Sequence, residues 1–210
     1  MQIVVLADEL QKQELAHGLS HDGVVWINDE EEFIRYPDAD AYIDLEFVND
    51  ADRIALLKKL LPRLVIINSV TDTLQETTSS LVRINGWTTF LSSPLLEAAC
   101  LDDMIKAKTE EVFSLFNKRI EWLQDEPGFI TARVVSMIIN EAFISLGEGV
   151  STQEEINTAM KLGTAYPYGP FEWAEKIGLQ NIVTLLQKLA KEQVRYMPAE
   201  LLVQATDRSI

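Results

Sequence analysis

The chain has 210 residues, 47% of them hydrophobic and 24% charged with both signs interspersed, enough to bury a core and too apolar to stay disordered. A net charge of -15 opposes phosphate backbones and anionic lipid surfaces, so neither a nucleic acid nor a membrane is expected as a partner. No apolar run reaches the roughly 18 to 20 residues of a membrane-spanning helix, and the amino end reads as a strand rather than a signal core, so the expected location is cytoplasmic.

In chain order, residues 2–7 (Gln-Ile-Val-Val-Leu-Ala) form a continuous apolar run, the pattern of a strand covered on both faces and hence of a parallel sheet. A polar helical stretch follows over 8–19. His17 and His21 flank Gly18 in polar sequence and read as solvated loop residues. With Cys100 alone, a disulfide or a Cys/His metal site is not expected. Next come a strand at 24–28, a short helix at 29–36, a strand at 41–45, a helix at 50–61 and a strand at 64–68. The 50–61 helix carries Ile54, Leu56, Leu57, Leu60 and Leu61 on one stripe and is stopped by Pro62. Residues 73–82 read as a helix and 84–91 as a further strand. Strands alternating with helices predict right-handed crossovers and a doubly wound sheet.

From Pro94 onward the period becomes helical. One helix is expected over 104–123, and a second over 129–146 that is apolar on more than one side and therefore central in its domain. Ser151-Thr-Gln-Glu154 has the form of a capping box opening a helix to Leu162, closed by Gly163. Gly169-Pro170 opens another helix, ended by Gly178, and a last one runs over 181–194. The expected division is an α/β domain over 1–100 and a helical domain over 101–210.

Five pieces in order, Pro127-Gly-Phe-Ile-Thr-Ala-Arg133, Asn140-Glu-Ala142, Glu154-Glu-Ile-Asn-Thr-Ala-Met-Lys-Leu-Gly163, Tyr166-Pro-Tyr-Gly-Pro-Phe-Glu172 and Ile177-Gly-Leu179, resemble the C-terminal domain of 3-hydroxyacyl-CoA dehydrogenases. In the first half, Ala39-Asp-Ala-Tyr-Ile-Asp44 resembles that family's third strand, and Arg53 falls where a Lys usually opens the next helix. The resemblance implies a fold of α/β plus all-α class. A shortened Rossmann-like sheet, lacking material between its second and third strands, would precede a helical domain like the C-terminal domain of 6-phosphogluconate dehydrogenase. It also implies NAD as cofactor, an acyl-CoA-like small molecule as ligand and a homodimer formed through the helical domain.

The residues that would perform the family's chemistry are replaced. Ala7, Glu9 and Lys12 stand at the three positions of Gly-x-Gly-x-x-Gly, and Asp8 and Glu9 bring negative charge to where a pyrophosphate would meet backbone amides. The helix dipole returns no more than about 2 kcal/mol against that repulsion, so NAD binding is not expected. Asn28 or Asp29 occupies the ribose-binding position and reads first as a helix cap. Thr88 replaces the His base, Cys100 the Glu that orients it and Ala132 the substrate-polarising Asn, while Glu97 matches only after a three-residue shift. A threonine hydroxyl does not titrate near neutrality and cannot take the alcohol proton during hydride transfer. Asn68-Ser-Val-Thr71 echoes a polar turn of the family, leaving Asp44, Ser69 and Thr88 as weak candidates to line a ligand site. The segment 197–210 contains neither Gly nor an aromatic residue, unlike the family's usual ending, and predicts an altered substrate cleft. Two functions follow: a dimeric ligand- or partner-binding protein without NAD-dependent catalysis, or an oxidoreductase of a 3-hydroxyacyl-CoA or related hydroxy acid using a rearranged site.

Overall fold

In the computed structural model, which describes residues 1–207, the chain divides into two compact units, residues 1–129 and the chain from Ile130 onward. The first holds a seven-stranded sheet in the order β2-β1-β3-β4-β5-β6-β7. Its strands are β1 (Ile3–Leu6), β2 (Val24–Ile27), β3 (Ala41–Asp44), β4 (Leu64–Asn68), β5 (Val82–Ile84), β6 (Leu95–Ala99) and β7 (Arg119–Trp122). The first five run parallel, β6 is antiparallel to β5, and β7 is parallel to β6.

Every side chain of β1 is buried, because both faces of the sheet are covered. Ile3 and Val5 pack with Leu15 of α1 (Glu9–Ala16) and with Val112 and Phe113 of α3 (Lys106–Ser114). Val4 and Leu6 point the other way, toward Phe33 of a 3-10 helix at Glu30–Arg35 and Leu57 of α2 (Ala51–Lys58). Burying each such side chain contributes about 1.5–3 kcal/mol, so the alternation along β1 fastens a layer to either face.

Several elements depart from the sequence reading. Residues 73–81 form turns rather than a helix: the Glu76 and Thr77 amides both close on the Thr73 carbonyl in a single turn that is not continued, and Val82 already belongs to β5. β5 ends at Ile84; the Asn85 amide still bonds the Glu97 carbonyl of β6, but the Gly86 amide donates to the Asn68 side chain, so no strand spans 84–91. The expected helix at 104–123 breaks into a 3-10 turn at Asp103–Ile105, α3, and β7 after Asn117 takes a left-handed conformation. β6, with its run Leu-Leu-Glu-Ala-Ala, carries residues that suit a helix as well as a strand, and only pairing with β5 and β7 decides. Residues 101–129 therefore lie with the sheet, and the division falls near 129 rather than 100.

The second unit comprises α4 (Thr131–Gly147), α5 (Gln153–Thr164), α6 (Pro170–Ile177), α7 (Leu179–Ala190), a 3-10 turn at Val194–Tyr196 and α8 (Glu200–Asp207). α4 is central, burying Ala132, Val135, Ile139, Asn140, Ala142 and Phe143. The capping box at α5 is formed one residue later than expected, by Thr152 and Glu155, with the Ser151 hydroxyl adding a bond to the same carboxylate. Gly178 has φ +91°, a conformation a Cβ would strain, and joins α6 to α7. α7 stops at Ala190, short of 194, and α8 lies within the segment 197–210, to which the sequence reading assigns no element; residues 208–210 lie outside the described residues. Among the described residues no helix is long and apolar enough to cross a membrane.

Candidate functional site

In an open parallel sheet ligands bind outside the carboxyl ends of the strands, where neighbouring crossovers diverge to opposite faces. Here that point lies between β1 and β3, since α1 leaves β1 toward one face and α2 leaves β3 toward the other. The residues around it are bonded to one another. Asp8 caps α1, its Oδ1 accepting from the Gln11 amide at 2.7 Å, while its own amide donates to Gln11 Oε1 at 3.0 Å. Gln11 Nε2 then crosses to β3 and donates to the Leu45 carbonyl at 3.0 Å. Asn68 Nδ2, from the end of β4, donates to the same carbonyl at 3.0 Å, so the two lone pairs at the crevice floor are both engaged. Asn68 Oδ1 accepts from the Gly86 amide, and a Cβ on Gly86 would stand 2.8 Å from Asn68 Cγ, which is why glycine occupies that turn.

Beside this floor sits a buried charge cluster. Asp44, wholly buried at the end of β3, pairs with Arg53 of α2 at 2.8 Å, and Arg53 reaches the half-exposed Glu30 at 2.9 Å and the Glu46 carbonyl at 3.1 Å. Burial pushes the Asp44 carboxyl up to about 7 against the pull of Arg53. One guanidinium thus serves two carboxylates at the place where an anionic ligand would need free positive charge.

Each residue singled out from the sequence has a definite place. Ala7 is buried behind β1, Glu9 is exposed in the first turn of α1, and Lys12 lies over the Trp26 ring at 5.7 Å. Asn28 is exposed, and Asp29 caps the following 3-10 helix by accepting from the Glu31 amide at 2.8 Å. Ser69 donates to the Asp72 carbonyl at 2.8 Å, an ordinary turn. Thr88 is half-buried in the turn after Trp87, next to Thr89, whose φ of +82° is held by its amide donating to the Glu14 carboxylate. Cys100 packs against the apolar cluster under α3, and burial pushes its thiol up. Ala132 is buried in the first turn of α4. His21 is not a free loop residue, because its ring contacts the Met1 carbonyl at 2.6 Å.

A further buried carboxylate of this unit is Glu97. The antiparallel register of β5 and β6 sets it opposite Asn85, whose side chain donates to Glu97 Oε2 at 3.0 Å while its amide bonds the Glu97 carbonyl. A fixed spacing of twelve residues selects Cys100 instead, and the pairing of Glu97 with Asn85 comes from strand register rather than from spacing. Gln11, too, escapes a glycine-motif reading, though its spacing from Asp8 is that of a capping box. Among the described residues no group of three or more His, Cys, Asp and Glu could hold a metal ion.

Arg83 carries a second buried charge in this unit. It pairs with Asp125 at 2.5 Å and donates to the Ser69 and Glu126 carbonyls at 3.0 and 2.6 Å, and its guanidinium lies 4.1 Å from the Phe129 ring centroid. Burial lowers the guanidinium from its usual value while Asp125 opposes that shift.

A sequence profile of the 3-hydroxyacyl-CoA dehydrogenase C-terminal domain matches residues 128–209. The chain is 44% identical to a 3-hydroxyadipyl-CoA dehydrogenase of Escherichia coli over 89 residues, 41% of this chain and 19% of that protein. It is 36% identical to a 3-hydroxybutyryl-CoA dehydrogenase of Bradyrhizobium diazoefficiens over 111 residues, 52% of this chain and 38% of that protein. The matches therefore span well under half of those relatives. Among solved structures, FadB2 of M. tuberculosis superposes with a TM-score of 0.80 at 15% identity, covering 99% of this chain and 94% of that one. The (S)-3-hydroxybutyryl-CoA dehydrogenase PaaH1 of Ralstonia eutropha gives 0.76 at 19%, with the same coverage; both likenesses are of fold alone.

Proposed function

Since the chain belongs to the 3-hydroxyacyl-CoA dehydrogenase family through its helical C-terminal domain, we propose that it is a dehydrogenase-like protein that binds a ligand or partner without NAD-dependent catalysis. The observation that carries this reading is the occupied crevice between β1 and β3. Gln11 and Asn68 cap the Leu45 carbonyl, Asp8 caps α1 with its own carboxylate, and Glu9 follows at the first helical position. A pyrophosphate needs bare amides and net positive potential at that helix end, and here the amide of Gln11 is already used and the added charge is negative.

Self-association through the helical unit forms part of the proposal. α5 has Ile156, Met160 and Leu162 among its twelve residues yet buries none of its side chains, and a groove of about 650 Å³ lined by Val134, Met137, Ile138, Ile156 and Met160 separates it from α4. A second copy covering that face would supply burial the single unit lacks. The ligand in view is an acyl-CoA-like molecule, as the named relatives suggest.

Calorimetry with NAD, NADP and acetoacetyl-CoA, read alongside Trp26 and Trp87 fluorescence, tests the reading. The expected result is no binding of either dinucleotide below millimolar concentration; micromolar binding of NAD overturns it. A second reading, an oxidoreductase with a rearranged site, draws on one observation. Glu97 is a buried carboxylate that accepts from the side chain of Asn85, three residues before Thr88, and could serve as a proton acceptor. NADH consumption with acetoacetyl-CoA, abolished by Glu97→Gln, would favour it.

A further inference from the structure

β2 is the outermost strand of the sheet, with β1 on one side and, among the described residues, no strand on the other. Its register fixes which backbone groups are left over. The Ile3 amide donates to the Gly23 carbonyl at 2.9 Å, and Ile3 is paired with Val24, so Gly23, Val25 and Ile27 direct their amides and carbonyls toward β1. Val24 and Trp26 direct theirs outward. The connection to β3 does not cover this edge: Phe33 packs with Val4, Leu6 and Ile27 on one face of the sheet. Sheet edges are ordinarily blunted by a charge, a proline or a bulge, and Val-Val-Trp-Ile has none of these.

The edge also has a sign. Exposed Asp22 precedes β2, and exposed Asp29 and Glu31 follow it. The neighbouring charges from other elements are accounted for: Glu30 is paired with Arg53 of α2, Glu32 with Arg35, and Lys12 of α1 lies over the Trp26 ring. An extended segment laid along β2 would therefore meet carboxylates at both ends. A second copy of this chain would bring the same carboxylates and be repelled, whereas a basic segment would be attracted.

We propose that the free edge of β2 receives an extended, basic peptide segment that adds to the sheet as an eighth strand, its backbone bonding Val24 and Trp26 and its cationic side chains facing Asp22, Asp29 and Glu31. Strand addition takes its affinity from main-chain bonds and its selectivity from flanking side chains, and the edge provides both.

The test uses the full chain and two ten-residue probes, one alternating Lys and Val and one alternating Glu and Val. Calorimetry is expected to detect the Lys-Val peptide only, more weakly at high salt, with hydrogen exchange slowed at the Val24 and Trp26 amides and unchanged at Val25. Val24→Pro removes one outward donor while leaving the ladder to β1 intact, and should weaken binding about tenfold, the worth of one such bond. Should that variant fold poorly, Asp22→Lys with Glu31→Lys leaves the strand untouched and should abolish the preference for the basic probe. Equal binding of both probes overturns the proposal, as does affinity unaffected by either variant. Val24 and Trp26 amides already protected in a concentration-dependent dimer of the free protein would also overturn it, by assigning the edge to a second copy.

Discussion

The two units of this chain use their recognisable residues for different ends. In the helical unit the pieces shared with the dehydrogenases hold the fold itself. Glu172 accepts from the Gly169 amide at 2.8 Å and pairs with Lys161 at 2.5 Å, Asn157 Oδ1 accepts from the Phe171 amide at 3.0 Å, and Asn140 bonds both Met197 and Ala199. Changing any of these disturbs packing in a unit of about eighty residues, which has little stability to spare. In the sheet unit the positions that should serve a ligand sit at strand ends and turns, where the fold asks only for a cap or a bond. Asp8, Gln11, Asp29 and Ser69 meet that lesser demand. A domain signature and a ligand site are thus enforced by separate forces, the one by packing and the other by what a ligand requires.

The strongest test of this contrast removes a buried charge from the sheet unit. Arg83→Met leaves Asp125 and two carbonyls without their donor, and unfolding in urea should show a loss of about 3–5 kcal/mol. Adding Asp125→Asn should recover a large part of it, since the cost lies chiefly in the orphaned carboxylate. In the helical unit Asn140→Ala should cost less, about 1–3 kcal/mol, because it orphans the neutral Met197 carbonyl and Ala199 amide. If the Asn140 variant proves the more damaging, the helical signature carries more than packing.

How much was legible from the sequence differs between the units in the same way. The strands β1 to β4 were readable because each is a continuous apolar run between polar turns, and α4 to α6 because their caps and glycines are local signals. β6 and β7 were not, since Leu95–Ala99 and Arg119–Trp122 acquire strand character from neighbours distant in the chain. The absence of the phosphate motif was plain in Ala7, Glu9 and Lys12. What fills its place was not: the reach of Gln11 to Leu45 depends on two strands lying side by side, and Glu97 is placed by a register that no spacing rule contains.

The pH response of the sheet unit supplies a third test. Asp44 is raised from 3.8 to about 7 in the folded chain, so the folded state binds the proton more tightly than the unfolded one. By linkage its contribution is fully present below the unfolded value and is lost as pH rises through about 7. Denaturation of the wild type and of Asp44→Asn, compared across that range, should show the wild type losing ground as pH increases while the variant, with no carboxyl to ionise, falls less. Parallel curves would mean that Arg53 holds Asp44 ionised throughout, making the cluster a permanent clamp rather than a titrating one.

The smallest effect concerns backbone strain, which both units contain at a non-glycine residue. Ala165 ends α5 at φ +56° and Thr89 follows Thr88 at φ +82°. Left-handed conformations cost an L-residue roughly 1–2 kcal/mol, more when the side chain is branched at Cβ. The two residues differ in what holds them. Thr89 is fastened by the Glu14 carboxylate on its amide, so its geometry is imposed by tertiary contacts, whereas Ala165 sits at a helix end where glycine is the usual occupant. Ala165→Gly should therefore stabilise the helical unit by about 0.5–1 kcal/mol, since the relief of strain exceeds the added freedom of the unfolded chain. Thermal unfolding of the variant reads this directly. A destabilised Ala165→Gly would mean that the methyl group, not the turn, is what the unit retains at that position, and would place Ala165 with the packing residues of the helical signature.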